Sequence, residues 1–166
     1  MSEVTMTVNL SGPKPRDPVS IYHMGQGFYL AGNRCLLNID VAPGITQCLI
    51  SPGVVNLCLA IELFLKSVIV ASGAAVPKSH KLKDLSGLAS PEFVAELRAS
   101  FNAVVPNPSF DELVEQISEY FVKVRYGYEF NVFAFHEYPV STLARHLYIQ
   151  SARFHGQKTG IELVRV

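Results

Sequence analysis

The stretch from residue 140 to 155 carries the side chains best suited to binding an anion. At helical spacing, one of its faces is apolar and the other is polar. The polar face carries Thr142, Arg145, His146, Gln150 and Arg153. Guanidinium groups pair well with phosphates and carboxylates, so this face predicts an anion-binding surface. A solvated face without a ligand is the alternative.

The distribution of charge along the chain supports this interpretation. From residue 121 onward there are six Lys or Arg residues and three acidic residues, whereas residues 91–120 contain one Arg and six acidic residues. A cationic surface beside an acidic one suits either an anion site or head-to-tail contact between two subunits.

Arg125 and Tyr126 follow an acidic helical segment and form a second candidate. An arginine at a helix C-terminus interacts favourably with the helix dipole, which explains Arg125 without a ligand. The alternative is that Arg125 and Tyr126 bind a phosphate or a carboxylate. The histidines show no spacing typical of a metal site, so neither a metal nor another cofactor is expected.

The most apolar segment, residues 54–71, contains an isolated pair of opposite charges, Glu62 and Lys66. Glutamate four residues before lysine is the favourable order for a helical ion pair, and we expect a surface pair worth a few tenths of a kcal/mol. His80 lies beyond the end of this segment. It is expected to order a turn by hydrogen bonding, or else to face a ligand.

Three short motifs together resemble the HEPN family of helical bundles, which occur in prokaryotic toxin–antitoxin and defence systems and in some eukaryotic proteins. The first is Ala60-Ile61-Glu62-Leu63-Phe64-Leu65-Lys66, the second is His80-Lys81-Leu82-Lys83-Asp84-Leu85, and the third ends in Arg125-Tyr126. Their order and spacing follow the family pattern over residues 20–130. The resemblance implies an up-and-down helical bundle that forms a homodimer.

Many HEPN proteins are metal-independent ribonucleases, and the resemblance implies an active site made of an Arg followed after four to six residues by a His. This chain departs from that pattern. Ten residues separate Arg125 from His136, while Arg145 is adjacent to His146 and Arg153 lies two before His155. We therefore expect a non-catalytic member of the family.

Length and composition limit the number of domains and the classes of protein to which the chain could belong. A chain of 166 residues with 49% hydrophobic residues suits one domain, and its net charge of zero excludes a uniformly basic nucleic-acid-binding surface. Residues 54–71 are short for a membrane span and carry two charges, so a buried helix is expected and membrane insertion is not. No secretory signal is recognised, and the three cysteines lack disulfide or zinc spacing, which favours a cytoplasmic protein.

Helix-start signals and turn residues divide the chain into elements. Three predicted starts place an N-capping oxygen before a proline, at Asp17-Pro18, Ser51-Pro52 and Ser90-Pro91, and a fourth is a capping box of Ser109 and Glu112. Pro43-Gly44 is among the predicted helix stops. Five main helices are predicted, and a short helical piece is expected at 80–89. The predicted main helices are 18–40, 53–72, 91–104, 110–126 and 140–155. Residues 3–10 alternate as in a strand, and 160–166 could pair with them as a terminal β-ribbon. The prediction is one all-α domain over 1–166, with an N-terminal arm at 1–17 and a C-terminal tail at 156–166.

The sequence thus predicts a non-catalytic HEPN-like module that binds a nucleotide, RNA or a partner protein, with a link to a toxin–antitoxin or defence system. Its expected ligand-binding residues are Arg125, Tyr126, Arg145, His146 and Arg153, while Glu62, Lys66 and His80 are expected to be structural. Two alternatives stay open. One is a ribonuclease with a displaced Arg–His pair, and the other is a helical subunit without a ligand.

Overall fold

The computed structural model describes residues 17–118, 120 and 137–160. Over these residues the chain is an all-α bundle, as the sequence predicts, with one small β-ribbon at residues 39–47, which is not the terminal ribbon that the sequence suggests. The elements in chain order are α1 (Pro18–Cys35), β1 (Ile39–Ala42), β2 (Ile45–Gln47), α2 (Ile50–Ala71), α3 (Leu82–Leu88), α4 (Pro91–Val104), α5 (Phe110–Ile117) and α6 (Glu137–Thr159). The predicted short helix at 80–89 corresponds to α3.

Three of the four predicted helix starts are capped as expected. Asp17 accepts hydrogen bonds from the first-turn amides of α1, and Ser90 does the same for α4. Ser109 and Glu112 form the predicted capping box of α5. The prediction for Ser51 is wrong, because α2 already begins at Ile50. Proline is tolerated throughout a first helical turn, so Pro52 marks the start only to within a turn.

The first helix ends earlier than predicted, at Cys35 rather than near residue 40. The chain then forms an antiparallel hairpin of β1 and β2, in which Ile39 pairs with Gln47. Its turn contains Pro43 and Gly44, and Gly44 has a φ of 74°, a conformation that favours glycine. A Pro-Gly turn between β-branched residues is therefore the signal for this hairpin.

The apolar helix α2 is the centre of the bundle. It packs against α1 along most of its length and against α6 and α3 on other sides. At the α1–α2 crossing Gly32 and Gly53 bring the two backbones close. A Cβ added at Gly32 would lie 2.9 Å from the Leu57 side chain, and one added at Gly53 would lie 2.8 Å from Leu36. Glycines lower the helix propensity of α1, but one of them, Gly32, also allows α1 to pack closely against α2.

Among the described residues α2 is the one helix long and apolar enough to cross a membrane, and 67% of its apolar window is buried within the protein. Packing inside the bundle is sufficient reason for this composition. An apolar surface as wide as that of α2 predicts either a central position in the bundle or cover by a second subunit. Here α1, α3 and α6 of the same chain cover it, so this helix is not by itself a reason to expect a dimer. The exposed apolar side chains concentrate instead in residues 37–50.

Two predicted boundaries near the C-terminus are also wrong. The helix predicted at 110–126 ends at Ile117, and Ser118 is its C-cap. The hydroxyl group of Ser118 accepts a hydrogen bond from the Lys83 amide and donates one to the Val114 carbonyl. The helix predicted at 140–155 runs over Glu137–Thr159, so residues 156–159 are helical rather than part of a tail. The predicted terminal ribbon, residues 3–10 with 160–166, and most of the arm lie outside the described residues.

Candidate functional site

A groove between α4 and α6 collects the polar face predicted on the last helix. Its volume is about 440 Å³. It is lined by Ser100 and Val104 of α4 and by Tyr138, Thr142, Arg145, His146, Ile149, Gln150 and Arg153 of α6. The spacing of three and four residues along α6 places these side chains on one side of the helix. The structure therefore brings Arg145, His146 and Arg153 of the predicted site together.

The two arginines of the groove are exposed and not neutralised. Neither Arg145 nor Arg153 forms an ion pair with any carboxylate of the described chain. By contrast, Arg98 on α4 binds Asp111 through two hydrogen bonds of 2.9 Å. Two free guanidinium groups along one groove create a positive potential that attracts an anion.

His146 lies between the two helices beside Arg145. Its partial burial and the charge of Arg145 lower its pKa, which favours the neutral imidazole at pH 7. Its Nδ1 atom is 3.2 Å from the hydroxyl oxygen of Ser100. The Ser100 hydroxyl donates its proton to the Leu97 carbonyl at 3.0 Å, so we assign the proton of the neutral ring to Nδ1 and leave Nε2 as an acceptor.

Gln150 completes this polar network and has an unused acceptor. Its Nε2 donates to the Ser100 oxygen at 2.6 Å, while its Oε1 is buried and has no hydrogen-bond partner among the residues that the structure describes. A buried polar atom without a partner is uncommon in a folded protein. Since Oε1 has almost no solvent-accessible surface, a ligand in the groove contacts it only after the Gln150 side chain rotates.

A narrower crevice of about 170 Å³ continues from the groove past Gln150 and Arg153. It is also lined by the acidic residues Glu92 and Glu96. The Ser90 hydroxyl donates to Glu92 at 2.6 Å, and this bond lowers the pKa of the Glu92 carboxyl. Two negative charges at this end make the Arg145 end the more favourable position for an anion.

The described residues test only part of the predicted ligand-binding set. Arg125, Tyr126 and His136 lie outside the described residues, so their part of the prediction is untested. His155 is fully buried, and its Nε2 lies 3.1 Å from the Ser67 hydroxyl in the interior of the bundle. His155 therefore supports the packing of α6 against α2 and does not face a ligand.

The Glu62–Lys66 pair is buried, which corrects the expected surface pair. Each residue is 7% exposed, and Lys66 Nζ donates to Glu62 Oε1 at 2.8 Å. His80 Nδ1 contacts the same oxygen at 2.9 Å, so it ties the segment after α2 back to that helix. Removing one partner of a buried pair is costly, and the pair therefore fixes this part of the bundle more firmly than a surface pair would.

Sequence reasoning missed Ser100, which holds both His146 and Gln150 in place. Nothing in its sequence context identifies it, because its role depends on the crossing of α4 and α6. Among the described residues no group of three or more His, Cys, Asp or Glu side chains is arranged to hold a metal ion.

Comparison with known proteins adds no relative: no family model, curated protein or solved structure matches the chain. The fold and the groove define a small helical bundle with an open cationic groove.

Proposed function

We propose that this protein is a non-catalytic HEPN-like module that binds a phosphate-bearing ligand, a nucleotide or RNA, in the groove between α4 and α6. The observation that carries the proposal is the position of Arg145 and Arg153 along this one groove, where neither forms an ion pair with a carboxylate of the described chain. Their guanidinium groups bind the phosphate. The link to a toxin–antitoxin or defence system rests on the motif resemblance alone.

Binding is measured by fluorescence polarisation with a labelled single-stranded RNA and by calorimetry with ATP. We expect the Arg145→Ala/Arg153→Ala variant to bind at least about tenfold more weakly, since it loses two charge-assisted contacts. The matched control is Arg34→Ala/Lys78→Ala, which removes two exposed cations that likewise have no ion pair within the described chain. Equal binding by wild type and the groove variant, or none at all, would contradict the proposal.

A ribonuclease is the second candidate because His146 lies beside Arg145, and its lowered pKa favours the neutral imidazole that a general base requires. Its test is incubation of RNA with a protein excess in the presence of EDTA. Cleavage that disappears in His146→Ala would establish the enzyme and overturn the non-catalytic proposal. The expected result is intact RNA.

We also propose that a second copy of the chain packs on the hairpin. Six large apolar side chains there are 38 to 63% exposed: Leu37, Ile39, Val41, Ile45, Leu49 and Ile50. A two-stranded hairpin is marginally stable in water, and both of its strands are fully solvent-facing. Residues 37–50 contain one charge, Asp40, so the surface is nearly neutral and suits a symmetric contact with its own copy.

Light scattering after size exclusion tests the proposed dimer. Ile45→Lys is expected to convert a dimer to a monomer, because it places a charge in the apolar contact. Leu88→Lys, at an exposed leucine on α3, is the control and should stay dimeric. A wild-type monomer at high concentration would contradict the proposal.

A further inference from the structure

A second pocket lies on another side of the bundle, and it shares no lining residue with the α4–α6 groove. It is formed by the start of α1, the middle of α2 and the segment between α2 and α3, and its volume is about 540 Å³. This is within the size range of small-molecule sites. The pocket contains one polar end and one apolar wall, the usual arrangement for a small organic ligand.

The polar end of the pocket is the buried Glu62–Lys66 pair. Lys66 uses one of its three N–H donors on Glu62 Oε1, and His80 contacts that same oxygen. Within the described chain no other protein group hydrogen-bonds Glu62 Oε2 or the two remaining N–H groups of Lys66. Two charged residues that are each 7% exposed therefore offer the pocket one free acceptor and two free donors.

The apolar wall consists of Ile21, Met24, Leu63 and Val76. Asp17 is at the rim, but its carboxylate is occupied by the first-turn amides of α1 and the Ser20 hydroxyl. The wall can cover an aromatic or alkyl body, and it leaves the Glu62–Lys66 pair to bind the polar head.

Charge decides which head group fits. The Glu62–Lys66 pair is neutral in sum, and the Asp17 carboxylate of the same pocket keeps its negative charge. An added carboxylate therefore faces two negative groups, and an added ammonium beside the pair faces Lys66 at close range. An uncharged carboxamide avoids both repulsions. Its N–H donates to Glu62 Oε2 and its C=O accepts from Lys66 Nζ. We propose that this pocket binds a small molecule with a carboxamide head and an aromatic or alkyl body.

Three probes with the same phenyl body and different head groups separate the alternatives: benzamide, benzoate and benzylamine. The chain contains three methionines, and Met24 lines the pocket, so the ¹³C-methyl signal of labelled methionine reports occupancy. The Met24 signal is assigned by its loss in Met24→Leu. We expect benzamide to shift it saturably in the low-millimolar range, and benzoate and benzylamine to bind at least about tenfold more weakly, since each adds an unpaired charge.

A pair of tryptophan variants localises the binding without touching the ion pair. Val76→Trp fills the pocket from a non-helical segment and should abolish the benzamide shift. Val104→Trp, at an exposed residue of the α4–α6 groove, should leave it unchanged. Equal binding of the three probes, retained binding in Val76→Trp, or no saturable shift with benzamide would each overturn the proposal. RNA binding in the other groove is unaffected by any of these outcomes.

Discussion

Two glycines on the same helix should respond to alanine in opposite directions. Gly27 and Gly32 both lie inside α1. Gly27 is exposed, and a Cβ added there meets nothing within 4 Å. A Cβ at Gly32 would lie 2.9 Å from Cγ and Cδ2 of Leu57 and 3.1 Å from the backbone oxygen of Gly53. The same chemical change therefore tests the close approach of α1 and α2.

The magnitudes follow from two opposing terms. Alanine improves helix propensity over glycine by about 0.5–1 kcal/mol at either position. At Gly32 overpacking adds a cost of about 1–3 kcal/mol, since Leu57 is fully buried and the Gly53 carbonyl belongs to a helix backbone. We expect Gly27→Ala to be more stable than wild type by about 0.5–1 kcal/mol, and Gly32→Ala to be less stable than wild type by up to about 2.5 kcal/mol.

Urea denaturation followed by circular dichroism measures both variants, with wild type as the reference. At this chain length each kcal/mol corresponds to about 2–4 °C in the melting temperature, so thermal melts should give the same order. Unchanged m values would show that the unfolded state is not altered. If Gly32→Ala were as stable as Gly27→Ala, the tight crossing of α1 and α2 would be wrong.

Three further predictions concern stability and accessibility. Ser109→Ala removes the capping box of α5 and should lower the free energy of unfolding by about 1 kcal/mol, as measured by urea denaturation; no change would show that the box is dispensable. Burial lowers the pKa of His155, and burial with the charge of Arg145 lowers that of His146. The unfolded chain then binds more protons below about pH 6.5, so the urea midpoint should fall between pH 7.5 and 5.5; a constant or rising midpoint would contradict this. Burial raises the pKa of the Cys58 thiol to about 12, so Ellman's reagent should modify it only after unfolding, and rapid modification in the native state would refute its burial.

The sequence predicts a helix correctly where a single local signal, such as apolar periodicity or a capping residue, determines it. The apolar periodicity of residues 54–71 predicts α2, and the capping chemistry of Asp17, Ser90 and Ser109 predicts three helix starts. The helix end at Cys35 was missed because the residues that follow have enough apolar character to continue a helical pattern. The Pro43-Gly44 turn, read as a hairpin signal rather than a helix stop, would have identified β1 and β2.

The sequence predicts the part of the candidate site that lies on α6 but not the part that lies on α4. Helical spacing alone places Arg145, His146 and Arg153 on one face, and the structure confirms that they line one groove. Periodicity cannot identify Ser100, because the position of α4 against α6 is set by tertiary packing. The same limit explains the error on the Glu62–Lys66 pair: a helical wheel gives the direction of a side chain but not what covers it.

The salt dependence of RNA binding tests the central claim most directly. Each phosphate contact on a single strand contributes about −0.7 to the slope of log affinity against log salt concentration, so removing two arginines should make the slope shallower by about 1.4. The account predicts this change for Arg145→Ala/Arg153→Ala and the wild-type slope for Arg34→Ala/Lys78→Ala. An identical slope for wild type and the groove variant would show that Arg145 and Arg153 do not contact phosphate, and would contradict the proposed function.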